Sequence, residues 1–581
     1  MESVHSKTQV SLLEVSQEEL ELALQNRKTF VCSNANVKSS SGQNDGTRLK
    51  IVHTHMSMVV MFPEQVYKVK KHVNLGFADF TSLNKRFKAC IAEVELNKTL
   101  APNVYLGIVP IYMKRETREI SVRCDTYWTP ERNEHSDWFQ NDQFGEIIDW
   151  AVHMVRLPDE WSLMHLLDQG KLTEKMLEQL VEKLVNFHKT AIRGRDIDQF
   201  GKISMVCNNM DDNFDQTASH VGITVNETVY NRVKKLSYIW LETLKPIIES
   251  RVELGCICDT HGDLRLEHVF QLPSSSNKEE DFVIIDRIEF NEKFRFGDPF
   301  SDVAFLSMDM WQRGRYDLAQ LLKHKYLEKA GQRSVNCADL YTFYEAYRAV
   351  VRAKVCGFRA MESTIPAASR AEEIQKARCH WLVALEMLSQ PNERPCLILI
   401  GGLPASGKST LSRMLVECDK SLVWLRSDVI RKELAVHQDK KLTAQGVEML
   451  EESLYSMNMT CSTYEELLKR SIKHLRDGGR VIVDATFQHH TKRQEFITAG
   501  KMEGALVVFI MCECDRKIAK SRMLARKNDV SDATWEVYEQ MEKTWQFSVD
   551  LMIEYRVVRT DWDQEETLHR AQDILCRVGV W

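Results

Sequence analysis

Gly402-Leu403-Pro404-Ala405-Ser406-Gly407-Lys408-Ser409-Thr410 joins a flexible backbone, one cation and clustered hydroxyls in the spacing G-x-x-x-x-G-K-S. Glycines at its ends let backbone N–H groups crowd around phosphate oxygens, and a helix opening directly after them adds partial positive charge. In such a loop Lys408 reaches the β- and γ-phosphates of ATP and the Ser409 hydroxyl ligates Mg²⁺. The strand-like run Leu397-Ile-Leu-Ile400 comes just before and a helical pattern just after, which is the context this phosphate-loop pattern requires.

A phosphoryl acceptor needs a base and a clamp. Asp428, in Arg426-Ser427-Asp428-Val-Ile-Arg431, follows a second apolar run. It is placed at a strand's carboxyl end to accept a hydroxyl proton, or to cap a helix. Arg431, three residues on, shares its face if a helix begins there and can hold the acceptor or a phosphate. Asp484, closing Val481-Ile-Val-Asp, stands at another strand end, where it can orient Mg²⁺ through water or serve as a cap. Arg522 and Arg526 are four apart, the spacing of a lid over a transferring phosphate, although arginines at that spacing are commonly a solvated face.

A second constellation lies upstream. Cys258-Asp-Thr-His261-Gly262-Asp263-Leu264 is followed by Val283-Ile-Ile-Asp286, which has the logic of a catalytic loop whose Asp263 takes the acceptor proton while Asp286 on the next strand holds Mg²⁺. Lys68 and Lys70 stand on one strand and Glu93 on the helix that follows. Five residues after Asp263 stands His268, a weak ligand for Mg²⁺. The turn Phe62-Pro-Glu-Gln65 offers no glycine-rich cover for phosphates.

The elements that must position these groups fall into two sets. A hairpin over Met56–Phe62 and Val66–Lys70 and a helix over Leu83–Leu100 belong to a small sheet-rich lobe. From Thr173 to about Ser389 the chain is helical, interrupted by strand-like islands before His261 and at Phe282–Ile285. Ser389–Pro395 carries two prolines and no apolar residue, the composition of a linker. Beyond it, short apolar runs at 397–400, 421–425, 480–483 and 505–511 alternate with helix-length segments, the signature of a parallel sheet covered by helices. The expected fold class is therefore α/β and α+β in two domains. A largely disordered extension spans 1–48, with one helix at Ser16–Leu24 and a polar tract at Ser33–Gly46. A first domain then spans 49–388, a linker 389–395 and an α/β domain 396–581.

Composition sets limits. The 581 residues are 44% hydrophobic and 28% charged, with a formal charge of -6, too long for one core and without the basic excess that holds nucleic acid by counterion release. Nucleic acid is not favoured as a partner, though a local groove is open to it. The 15 cysteines show no paired zinc spacing, and Cys256/Cys258 and Cys512/Cys514 read as reduced core thiols. The first residues lack the apolar stretch of a signal peptide and no run is long enough to span a bilayer, so a cytoplasmic location is expected.

The C-terminal motifs resemble those of small P-loop kinases, the group of gluconate kinases, polynucleotide 5′-kinases and zeta-toxin-like sugar-nucleotide kinases. His261-Gly-Asp263 resembles the aminoglycoside phosphotransferase family, which implies a protein-kinase-like fold in which Lys68, with Lys70 as the other candidate, contacts the α- and β-phosphates and pairs with Glu93. That family usually has a metal-binding Asn at the position of His268, although some members end the loop in Glu-His. From about Arg48 onward the order of motifs, including Gly76-Phe-Ala-Asp-Phe80 and Asp298-Pro-Phe-Ser-Asp302, is similar to two-domain bifunctional aminoglycoside phosphotransferase-like and P-loop ATP-binding proteins. The resemblance implies an ATP- and Mg²⁺-dependent transfer to a hydroxyl of a small molecule, a sugar or metabolite, at the P-loop site and at a second kinase-like site. Two other readings stand beside it: a 5′-hydroxyl polynucleotide kinase, and a P-loop kinase governed by a non-catalytic N-terminal sensor.

Overall fold

The computed structural model describes residues 15–31, 49–124, 128–129, 144–272, 281–363, 365–439, 457–525, 533–546 and 554–581. The polar tract at Ser33–Gly46, Arg526 and the segment 528–532 lie outside the described residues. Packing divides the chain into two compact units, Met1–Phe200 with Gly255–Asp302 and Gly201–Leu254 with Val303–Trp581.

The first unit is built on a seven-stranded sheet. Its strands are β1 (Phe30–Val31), β2 (Lys50–His53), β3 (Ser57–Met61), β4 (Gln65–Lys70), β5 (Tyr105–Met113), β6 (Ile120–Arg123) and β7 (Glu146–Val155), in the order β1-β6-β5-β7-β4-β3-β2. All neighbours are antiparallel except β1 and β6. Side chains alternate between faces along a strand, and β4 shows what that does. Tyr67 and Val69 pack with Val60 and Val109, and with Leu20 and Leu24 of the helix Gln17–Leu24. Val66 faces the other way, toward Cys90 and Val94 of the helix Leu83–Lys98. Lys68 and Lys70 share that second face and so meet the helix that carries Glu93. The residues before Arg48 that are described thus join the sheet, through a helix with two buried leucines and one edge strand.

Two short antiparallel pairs hold the loops of this unit: β8 (Cys258–Asp259) with β11 (Phe296–Gly297), and β9 (Val269–Leu272) with β10 (Asp281–Ile284).

In the second unit β12 (Cys396–Gly401), β13 (Leu422–Arg426), β14 (Arg480–Asp484), β15 (Leu506–Glu513) and β16 (Glu554–Arg559) form a wholly parallel sheet in the order β13-β14-β12-β15-β16. Every residue of β12 and β14 is buried, as expected for strands covered on both faces. Leu397, Leu399 and Val483 pack on one side with Leu467 and Phe496 of the helices Met457–Arg476 and His490–Glu503. Ile398 and Ile400 pack on the other with Leu411 and Leu575 of the helices Lys408–Cys418 and Gln564–Val578.

Long helices, Glu227–Glu253, Val335–Met361 and Ala367–Leu388 among them, complete this unit, and the first and last of these reach Gly478, at the amino end of a strand. Arg232 donates to the carbonyl of Gly478, just before β14, at 2.8 Å, and Tyr316 donates to that of Ala505, just before β15. Segment 389–395 thus runs inside the unit. Gly478 has φ +73°, and a Cβ there would stand 2.8 Å from a Leu385 methyl.

At this seam Glu386 is buried. One carboxyl oxygen accepts from Trp311 Nε1 at 3.0 Å and the other has no hydrogen-bond partner among the described residues. Burial pushes its pKa from 4.5 up to about 8, against the pull of Arg394 and the Trp311 hydrogen bond. A carboxyl raised in the folded state contributes stability that is complete below pH 4.5 and is lost as pH rises to about 8. Glu386→Gln keeps the neutral shape without the cost of holding a proton. It is expected to stabilise the protein at pH 7 by on the order of 3 kcal/mol and to flatten the pH dependence of Tm over that window. Parallel Tm curves for the two proteins between pH 5 and pH 8 would contradict this.

Among the described residues the cysteines are free, no group of His, Cys, Asp and Glu is arranged to hold a metal by itself, and no helix is long and apolar enough to cross a membrane. Burial pushes the thiols of Cys258 and Cys512 up to about 12, which makes them unreactive at neutral pH.

Candidate active sites

The loop at the end of β12 turns through backbone conformations that side chains resist. Gly402, Ala405 and Gly407 have φ of 141°, 62° and 88°. A Cβ at Gly407 would lie 2.9 Å from Thr560, the residue directly after β16. The Thr560 hydroxyl donates to the Ser406 carbonyl at 2.6 Å, so the last strand braces the loop from behind. Helix Lys408–Cys418 opens there, and its Gly407 cap supplies no side-chain hydrogen bond, which leaves its first N–H groups turned to the loop. The Ser406 hydroxyl is buried and has no hydrogen-bond partner among the described residues.

Ser409 donates to Asp484 Oδ2 at 2.6 Å, and Arg426 Nε stands 3.8 Å from the same oxygen. Burial raises the Asp484 pKa, opposed by Lys408, by the Ser409 hydrogen bond and by Arg426. Lys408 Nζ donates to the Leu403 carbonyl at 2.8 Å. Asp428 lies in the first turn of helix Ser427–Asp439, and its carboxylate accepts from Arg431 Nη1 at 2.8 Å. Lys408, Ser409, Asp428, Arg431, Asp484 and Arg522 all line one cavity of about 890 Å³. Arg522 is anchored there by donating to the Thr560 hydroxyl and carbonyl, while its expected companion Arg526 is outside the described residues.

An open helix N-terminus, an orphaned hydroxyl inside the loop, and a serine hydroxyl against a buried carboxylate suit a nucleotide phosphate chain with Mg²⁺. Three features of this site were not read from the sequence. Thr560 braces the loop, Tyr464 ties the cavity wall by sharing a hydrogen bond with Thr486 and accepting from the Phe487 N–H, and Gln488 and Lys492 line the far end.

In the first unit the structure brings Lys68, Glu93, Asp263, His268 and Asp286 together. Lys68 Nζ lies 2.8 Å from Glu93 Oε1 and 2.9 Å from Asp286 Oδ1. Lys70 engages the same glutamate, 2.6 Å from Oε2, and also Glu289. Asp286 has φ 62° and donates its N–H to the Tyr105 hydroxyl at 3.1 Å. Burial alone would raise its pKa, but Lys68, with Lys70 behind it, outweighs that and holds the carboxyl well below the usual range.

The His261-Gly262-Asp263 loop hangs on Asp302, whose two carboxylate oxygens accept the His261 and Gly262 N–H groups at 2.6 and 2.8 Å. Burial holds the His261 pKa down, at about 4. Asp263 accepts from Arg265 Nε at 3.1 and 3.2 Å. His268 Nδ1 is 2.8 Å from the Asp263 carbonyl and Nε2 is 3.1 Å from Arg265 Nη2. A carbonyl only accepts and a guanidinium only donates, so Nδ1 carries the proton and Nε2 receives one. His268 therefore locks the loop, and its Nε2 stands 3.9 Å from Asp286 Oδ2.

Residues 397–547 match the family model of an AAA domain, a span that contains the phosphate loop, Asp428 and Asp484. A Mycobacterium tuberculosis (strain ATCC 25618 / H37Rv) protein described as uncharacterized is 29% identical over 489 residues, 84% of this chain and 88% of its own. A Mycobacterium bovis protein, also described as uncharacterized, matches with the same figures. Among solved structures, a gluconokinase from Sinorhizobium meliloti 1021 is 13% identical, covers 32% of this chain and 94% of its own, and has a TM-score of 0.25. A sugar kinase from Janibacter sp. HTCC2649 is 14% identical over 32% of this chain and 97% of its own, with a TM-score of 0.24.

Proposed function

We propose that the chain is an ATP- and Mg²⁺-dependent phosphotransferase that phosphorylates a hydroxyl of a small molecule, a sugar or metabolite, at the P-loop site. The observation that carries this reading is the hydrogen bond between Ser409 and Asp484, 2.6 Å long, in a cavity shared with Lys408 and the Asp428–Arg431 pair. MgATP supplies the phosphoryl group and the metal charge. The loop N–H groups and Lys408 hold the phosphate chain, and Ser409 with Asp484 places the metal. Asp428 takes the proton of the acceptor hydroxyl as its oxygen bonds to the γ-phosphorus and ADP departs, while Arg431 fixes the carboxylate's direction.

The first unit is read as a second, kinase-like site. Asp263 is its base, Asp286 its metal carboxylate, and Lys68 with Glu93 its phosphate anchor. The antiparallel sheet, the helix bearing Glu93 and the loop ending in Asp263 support a resemblance to aminoglycoside phosphotransferases. Functional modules at 49–388 and 396–581, joined by 389–395, and a cytoplasmic location belong to the same proposal.

The test is ADP release from MgATP against pooled sugars and metabolites, aminoglycosides, and oligonucleotides with 5′-hydroxyl ends. The sugar and metabolite pool is expected to stimulate turnover. Asp263→Asn is expected to remove one acceptor activity by about 10²- to 10⁴-fold and leave another intact. Full activity of Asp263→Asn with every acceptor would make the first unit a sensor. Stimulation by oligonucleotides alone would favour end repair, and no stimulation by any pool would end the phosphotransferase reading.

A further inference from the structure

Lys70 and Glu289 are 219 positions apart and both nearly out of water, with side chains 1% and 6% exposed. Lys70 lies between Glu289 and Glu93 Oε2, whereas Lys68, 15% exposed, lies between Glu93 Oε1 and the half-open Asp286. A buried ammonium between two carboxylates is fixed by the cost of uncovering either charge. Lys68 has the shorter path to solvent and to a ligand beside Asp286.

Glu289 follows Asp286 by three residues, so its contact with Lys70 ties the Asp286 loop to β4. Two backbone bonds hold the segment between them, from the Arg287 N–H to Asn97 Oδ1 at 2.9 Å and from the Ile288 N–H to the His261 carbonyl at 3.1 Å. The cluster of Lys68, Lys70, Glu93, Asp286 and Glu289 sets two ammonium groups against three carboxylates. Its excess negative charge is most open to solvent at Asp286, where a divalent cation held by one carboxylate and nucleotide phosphates fits.

We infer that Lys70 and Glu289 are a positioning pair. They hold the Asp286 loop against the helix that carries Glu93, and Lys70 carries part of the Glu93 charge so that Lys68 is the ammonium presented to nucleotide phosphates. This rests on the reading of the first unit as a nucleotide site.

The experiment uses the full chain with Lys408→Ala, which silences the P-loop, and titrates it with MgATP and with ATP in excess EDTA. Binding of MgATP that disappears on Lys68→Ala is expected; its absence would overturn the nucleotide-site reading and the pair together. With that binding in hand, Lys70→Met with Glu289→Gln removes both charges and leaves neither of the two buried alone. The double variant is expected to keep its Tm within a few degrees, to bind MgATP about tenfold more weakly, and to lose most of the preference for MgATP over metal-free ATP. A merely structural pair would move Tm and not that preference. A folded double variant with parental affinity and metal preference refutes the inference. Should it fail to fold, Glu289→Asp keeps the charge and shortens its reach; a reduced metal preference supports the pair, and an unchanged one overturns it.

Discussion

Asp428→Asn is expected to bind MgATP within about twofold of the parent chain and to lose roughly a thousandfold of its acceptor-dependent turnover. The carboxylate lies in the same cavity as the phosphate loop but bonds to Arg431 and not to a loop residue, so its removal spares the nucleotide half of the site. Asparagine retains an oxygen to accept from Arg431 and cannot take a proton from a hydroxyl. The effect should therefore fall on kcat, with little change in the KM for ATP. Steady-state kinetics with the best acceptor decide the matter. A loss smaller than tenfold would remove Asp428 from the role of base.

Lys408→Ala removes the cation at the mouth of the loop and is expected to lower MgATP affinity and turnover at this site by about two to three orders of magnitude. The stability cost is far smaller. Lys408 donates to the Leu403 carbonyl, a hydrogen bond worth about 1 kcal/mol, and alanine is a good residue in the first turn of a helix. A protein with nearly parental Tm and lost nucleotide binding is the expected result. Calorimetric titration on a Lys68→Ala background isolates the site, and affinity retained within tenfold would remove Lys408 from the phosphate-binding role.

The phosphate loop was legible because its chemistry is contained in nine adjacent residues and its context is one strand and one helix. Asp428 and Asp484 were legible for a related reason: parallel strands deliver their carboxyl ends to one edge, so a carboxylate at the end of an apolar run has a predictable address. The pairing of Lys68 with Glu93 was expected from the resemblance and the order of strand, helix and loop. What the sequence withheld are contacts made by distant segments. Nothing local to Lys70 distinguishes it from Lys68, and only Glu289 and the depth of burial do. Thr560 could not be found because β16, Glu-Tyr-Arg-Val-Val-Arg, has too few apolar residues to announce itself; it is an edge strand, covered less than β12. Arg522 was assigned to phosphate by its spacing from Arg526, whereas its visible partner is Thr560. Spacing along a helix names a face and not what that face meets.

Trp311 and Tyr316 pack against the sheet's apolar cluster, and Gly478 admits Leu385 and Arg232 at close range. A gene fragment starting at Cys396 would consequently encode an incomplete object. It would carry every phosphate-loop residue, yet the aromatic cover of its lower edge would be missing and an apolar surface would face water, a liability for aggregation. Bundle and sheet are expected to melt as one cooperative body. The phosphate-loop part is expected to need the helices on which it sits in order to stay soluble.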